Sequence, residues 1–197
     1  MKPNTLSTFL TSNIDLKEAF LQLLFSSCQI KQVNKGDYLL QPGETCTHSF
    51  FVKKGLLRQF SLDAKGKEHV LQFAPENWFM SDRDSVFFHE PAAYYIQALE
   101  NTSVYLIDEP FLTNLAHKDP QFLDFNLNLL HKHIRQLHKR VQLLLSATAE
   151  ERYLDFVHMY PDLMLRVPQI QIASYLGITP ESLSRVRSDL AKKNQGR

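Results

Sequence analysis

Glu181 and Arg185 stand four residues apart in Pro180-Glu181-Ser182-Leu183-Ser184-Arg185, a spacing that places both on one face of a helix. Arginine can donate two hydrogen bonds to guanine O6 and N7, and glutamate can accept one from cytosine N4. Such a pair at the start of a helix is therefore suited to reading base edges in a major groove. Thr179, Ser182, Ser184 and Ser188 supply short polar groups nearby, and Lys192 supplies a cation that can meet phosphate. A surface ion pair on a small helical hairpin is the plainer account of the same two residues. Their setting favours base reading.

That setting is Gln169–Ser188, which fits the helix-turn-helix pattern. Ala173 stands where the two helices touch, and Gly177 follows four residues on, where the chain reverses and positive φ is needed. Ile172 and Leu176 line the first helix and Ile178 fills the turn. Leu183, Val186 and Leu190 give the second helix a buried side. Thr179 is expected to cap that helix, with Pro180 at its first position. Upstream, Thr148 with Glu151 forms a capping box that starts a helix over Ala149–Met159. An irregular connector is expected over Asp162–Pro168.

Net charge is only +1, but it is unevenly distributed: residues 166–197 hold 6 basic and 2 acidic residues, against 11 and 13 in 1–118 and 5 and 6 in 119–165. The C-terminal segment thus carries the basic footprint that phosphate contact requires, although a charged tail is also a common solvated end.

A reader of a symmetric duplex needs a second copy, and Leu123 to Leu144 offers the means. Leu123, Leu127, Leu130, Ile134, Leu137, Val141 and Leu144 alternate steps of four and three, an unbroken heptad stripe. Leu127, Ile134 and Val141 take the a positions and the leucines take d, a combination that favours parallel pairing of two helices. The expected result is a homodimer. Asp119 and Pro120 mark the helix start. A second row, Phe122, Phe125 and Leu129, lies off the seam and can face the chain's own N-terminal body. A buried helix in a monomer is the alternative.

From Ile30 to Ile107 short runs of β-branched and aromatic residues alternate with turn signals such as Asn34-Lys35-Gly36-Asp37 and Gln41-Pro42-Gly43-Glu44. Strands are expected at Gln29–Val33, Tyr38–Leu40, Ser49–Lys53, Leu56–Leu62, Glu68–Phe73, Tyr94–Leu99 and Val104–Ile107, with a brief helical turn at Phe111 and Leu112. Asp15 with Glu18 predicts a short lead helix whose apolar face is Phe20, Leu23 and Leu24. The fold class is therefore α+β: an N-terminal antiparallel β-sandwich or barrel over 1–118, a long dimerisation helix over 119–147 and a C-terminal helix-turn-helix domain over 148–197. No apolar run is long enough to span a bilayer, Met1-Lys2-Pro3-Asn4 opens no secretory segment, and a cytoplasmic location is expected.

The β-rich module, the long helix and the segment Ile172-Ala173-Ser174-Tyr175-Leu176-Gly177-Ile178-Thr179-Pro180-Glu181-Ser182-Leu183-Ser184-Arg185 together resemble the CRP/FNR family of bacterial transcription regulators. The resemblance covers nearly the whole chain. It implies a jelly-roll sensor that controls binding to double-stranded, palindromic DNA, with the family's base-reading Glu and Arg at Glu181 and Arg185. It also exposes departures. The Arg often found just before that Glu is Pro180 here, and a β-hairpin wing, which in many relatives follows the recognition helix, is expected to be absent or placed earlier.

Cyclic-nucleotide-binding relatives hold the ribose with a Gly-Glu pair and the phosphate with an Arg followed by a small polar residue. The corresponding stretch, Phe79-Met80-Ser81-Asp82 through Pro91-Ala92-Ala93, has neither, and residues 76–90 sum to −3 with Arg83 as the one cation. No response to cyclic AMP or cyclic GMP is expected. Trp78, Ser81, Asp82, Arg83 and Ala92 mark the candidate sensor pocket, with the effector, if one exists, unidentified. Trp78, Phe79, Phe87, Phe88, Tyr94 and Tyr95 could line an apolar pocket, though core packing is the expectation for most of them.

The competing class is a small-molecule-binding or enzymatic barrel whose C-terminal hairpin makes protein contacts. His48, His69 and His89 are scattered, and His131, His133 and His138 lie among Lys132, Arg135, Lys139 and Arg140 on the long helix, so no metal site, cofactor or catalytic set is expected. Cys28 and Cys46 are too few for a four-thiolate cluster and read as packing residues.

Overall fold

The structure is a computed structural model that describes residues 6–13 and 28–195; the lead helix expected from Asp15 lies outside them. Among the described residues a short helix, α1 (Leu6–Thr11), stands apart in sequence from eight strands: β1 (Gln29–Val33), β2 (Tyr38–Leu40), β3 (His48–Lys54), β4 (Leu57–Leu62), β5 (Glu68–Ala74), β6 (Phe79–Met80), β7 (Tyr95–Ala98) and β8 (Thr102–Asp108). They form two four-stranded sheets, β1-β8-β3-β6 and β2-β7-β4-β5, with antiparallel pairing at β1–β8, β3–β8, β3–β6, β2–β7 and β4–β7. This is jelly-roll architecture, and the α+β class read from the sequence holds.

Period-two alternation explains the packing of β3. Phe50 and Val52 join Leu57, Ile96 and Val104 in one apolar cluster. Phe51, fully buried on the other face, joins Leu6, Leu10, Tyr105, Ile107, Leu115 and Phe122 in a second. Cys46 sits in the first cluster and Cys28 packs against the second, both as free thiols; burial pushes the Cys28 thiol up to about 11, which keeps it protonated.

Four local expectations are corrected. β6 and a helix α2 (Arg83–Phe88) were not expected; α2 starts because the buried Asp82 side chain accepts from the Ser85 N–H. Phe87 and Phe88, two of the six aromatic residues most of which were expected in the core, are 46% and 71% exposed, since α2 turns Val86 inward instead. The brief turn at Phe111 and Leu112 is a ten-residue helix, α3 (Glu109–Lys118), held by the burial of Leu115 and Ala116. The connector after Pro161 contains a one-turn helix, α6 (Leu163–Arg166), which forms around the buried Leu163.

The long helix is α4 (Pro120–Ser146), and α5 (Ala149–Met159), α7 (Gln169–Leu176) and α8 (Pro180–Gln195) complete the chain. The Asp119 carboxylate accepts from the N–H groups of Gln121 and Phe122, capping α4 as its sequence predicts. Phe122 is buried and Phe125 packs against the second cluster, so the off-seam row does face the chain's own body. By compactness the chain divides into one unit of residues 1–61 and 71–130 and another of 62–70 and 131–197, and the division falls within α4.

Candidate nucleic-acid interface

The α7–α8 pair is assembled from a tight turn. Gly177 adopts φ 67°, ψ 32°, its N–H donating to the carbonyls of Ala173 and Ser174, and the Ile178 N–H donates back to Ala173 at 3.0 Å. Orphan carbonyls at the end of α7 are thereby satisfied at a position that disfavours a Cβ. Thr179 then caps α8: its hydroxyl accepts from the Ser182 N–H at 3.2 Å. Ala173 and Leu183, 1% and 0% exposed, close the helix–helix contact. Beneath α7 an aromatic trio of Phe156, Tyr160 and Tyr175 packs with ring centroids 5.3 to 5.9 Å apart.

On the outward side of α8, Thr179, Glu181, Ser184, Arg185 and Ser188 are exposed, as is Lys192 one turn beyond Ser188. Ser182 is half-buried and engaged with Thr179, so it contributes to the cap more than to the open face. The Glu181 carboxylate is held below its ordinary range by its own backbone N–H and the Thr179 hydroxyl, so it remains an acceptor at neutral pH. Lys193, next to Lys192, instead bonds the Glu150 carboxylate at 2.8 and 3.0 Å. The sequence-predicted reading residues are thus collected on one accessible helix face.

Two arginines that the sequence reading did not single out support this unit. Arg152 on α5 donates to three carbonyls, Leu144 near the end of α4, Ala147 in the following turn and Leu176 at the end of α7, at 3.0 to 3.2 Å. Arg140 on α4 donates to the Tyr175 carbonyl while its guanidinium stacks 3.6 Å over that ring. Arg140 reads in the sequence as one member of a basic stretch on the long helix, and the carbonyls that both arginines meet carry no mark in the sequence.

Along α4 the heptad residues Leu123, Leu127, Ile134, Leu137, Val141 and Leu144 are 40–53% exposed, and Leu130 is half-buried. Among the described residues this stripe is left about half open.

The candidate sensor residues differ in exposure and in what they touch. Ala92 is buried in the inter-sheet cluster, against which Trp78 packs partly buried. The Ser81 carbonyl accepts from Gln59, and Arg83 is exposed with its guanidinium 4.7 Å over the Phe87 ring. Asp82, 1% exposed, accepts from Ser85 N–H through one oxygen and from Ala93 N–H through the other. Among the described residues no group of three or more His, Cys, Asp or Glu side chains is placed to hold a metal.

Known proteins resemble this chain at the level of domain family, sequence and fold. The cyclic nucleotide-binding domain family matches residues 30–119. The transcriptional activator protein FnrA of Stutzerimonas stutzeri is 30% identical over 169 residues, 79% of this chain and 68% of that protein. An anaerobic regulatory protein of Haemophilus influenzae is 26% identical over 168 residues; this chain spans 64% of its length, and the match takes in 79% of this chain. Among solved structures, FixK2 from Bradyrhizobium japonicum shares the fold with TM-score 0.73 at 21% identity, covering 85% of this chain and 86% of that one. A CooA mutant from Carboxydothermus hydrogenoformans covers 98% and 86%, with TM-score 0.68 and 20% identity.

Proposed function

The chain belongs to the CRP/FNR family of bacterial transcription regulators, and from that premise we propose that it binds palindromic duplex DNA as a homodimer and does so without a cyclic nucleotide. The observation that carries the reading is the open face of α8, where Glu181 and Arg185 project from the first two turns behind a capped, glycine-locked turn. These are the turns of a recognition helix that reach base edges. The half-exposed apolar stripe on α4 supplies the pairing surface: two copies joined along it would bring two α8 helices to half-sites about 34 Å apart, one turn of DNA. The relatives named activators and regulatory proteins support gene control as the outcome.

Selection of duplexes from a random pool tests both claims. Recovery of a two-fold symmetric sequence with a half-site spacing near 10 base pairs is expected. Recovery of no preferred sequence, with salt-insensitive binding, would favour a hairpin that contacts protein.

A further inference from the structure

β5 is the last strand of its sheet, and an edge strand presents backbone donors and acceptors that must find partners outside the sheet. Residues 68 and 70 are two apart on that strand, so their backbone groups point the same way. The Ser174 hydroxyl, near the end of α7, accepts from the Val70 N–H at 3.0 Å and donates to the Glu68 carbonyl at 2.8 Å. A single hydroxyl thus replaces the rung that a further strand would supply. Arg140 adds a second tie: one guanidinium nitrogen donates to the Val70 carbonyl at 3.1 Å and to the Tyr175 carbonyl at 2.9 Å. Residues 62–70 accordingly fall in the same compact unit as the helix-turn-helix.

The chemistry of these two side chains is specific. Alanine at position 174 could neither accept nor donate. Lysine at position 140 could donate to a carbonyl but could not also lay a planar guanidinium over the Tyr175 ring. The clasp engages α7 and leaves the outward face of α8 open, since Glu181, Ser184 and Arg185 are all exposed with it in place.

We propose that Ser174 and Arg140 are positioning residues: they clasp α7 to the 62–70 segment and hold the α7–α8 pair in the pose that meets DNA. The proposal rests on the reading of α8 as the DNA-contacting helix. Without the clasp, α7 keeps its aromatic floor and the Arg152 bond to Leu176 but loses its ties to the 62–70 segment, and the fraction of molecules in the competent pose falls. Apparent affinity falls with that fraction.

The test uses the full-length protein, amide hydrogen exchange and binding to the selected duplex. Ser174→Ala is expected to speed exchange of the Val70 N–H about tenfold and to weaken duplex binding by a similar factor, while Ser174→Thr restores both. Arg140→Lys is expected to weaken binding in the same direction. Exchange of the Leu183 N–H, which donates to Thr179 inside the turn, should be unchanged in all three variants. Unaltered Val70 exchange in Ser174→Ala would overturn the clasp. Faster Val70 exchange with unchanged or tighter duplex binding would overturn its positioning role, as would an equal loss of protection at Leu183, which would make Ser174 a residue of helix-turn-helix folding. Failure of the unmodified protein to bind any duplex would overturn the underlying reading and the positioning role together, and Val70 exchange would still report separately on the clasp.

Discussion

The Asp82 carboxylate accepts a hydrogen bond from the Ala93 N–H at 3.2 Å, and its other oxygen accepts from the Ser85 N–H at 3.1 Å. Two amides that could have bound an anion are therefore satisfied by the protein's own buried acid. A phosphodiester entering here would have to displace a carboxylate and would find Arg83 turned outward onto Phe87. Titration calorimetry with cyclic AMP and cyclic GMP is expected to show no binding, and the affinity for duplex DNA should be the same with and without them. Micromolar binding of either nucleotide, coupled to tighter DNA binding, would contradict this.

Asp82→Ala removes the acceptor and leaves the buried Ser85 amide without it, at a cost of about 1–3 kcal/mol. Denaturant melts should report a lower midpoint with an unchanged slope.

Arg185→Ala is expected to weaken binding to the selected site by about 1–3 kcal/mol and to relax selectivity at one base pair in each half-site. Lys192→Ala should lower affinity evenly across sequences and flatten the salt dependence. Competition titrations against single-base variants of the site distinguish the two behaviours; an equal loss on specific and nonspecific DNA for Arg185→Ala would remove it from the base-reading set.

Ile134→Lys places a cation at the central a position, 40% exposed in the single chain and facing its counterpart in the proposed pair. Sedimentation is expected to show monomers at concentrations where the unaltered protein is dimeric, with tight binding to the palindrome lost as well. A dimer of undiminished stability would place the interface elsewhere.

The capping box at the start of α5 predicts a pH effect. The Glu151 side chain accepts from the Thr148 N–H at 2.7 Å and from its hydroxyl at 2.9 Å, which hold the carboxyl below its ordinary value of 4.5. Because the folded value is depressed, the stability this contributes is present above pH 4.5 and is lost as the pH falls through the folded value. Thermal melts of Glu151→Gln should lose less stability between pH 6 and about pH 3 than the unaltered protein does. Thr148→Ala should cost about 1 kcal/mol at neutral pH.

The parts of this protein legible from sequence are those whose cause is local. The caps at Asp119, Thr148 and Thr179, the positive-φ turn at Gly177 and the heptad on α4 each depend on residues within a turn or two of one another, so spacing alone determines them. Strand positions followed for the same reason, because alternation and turn residues act over a few positions. What tertiary structure alone decided depends on contacts between residues far apart. α2 is the exception: its Asp82 cap on Ser85 is local, but its aromatic run reads as core, and only the fold turns Val86 inward and leaves Phe87 and Phe88 exposed. Ser174 reads as an ordinary small residue until Val70, 104 positions away, is brought to it. Arg140 looks like one more solvated cation until the carbonyls of Val70 and Tyr175 meet its guanidinium. Backbone carbonyls and amides carry no mark in the sequence, and only folding determines which side chain they meet.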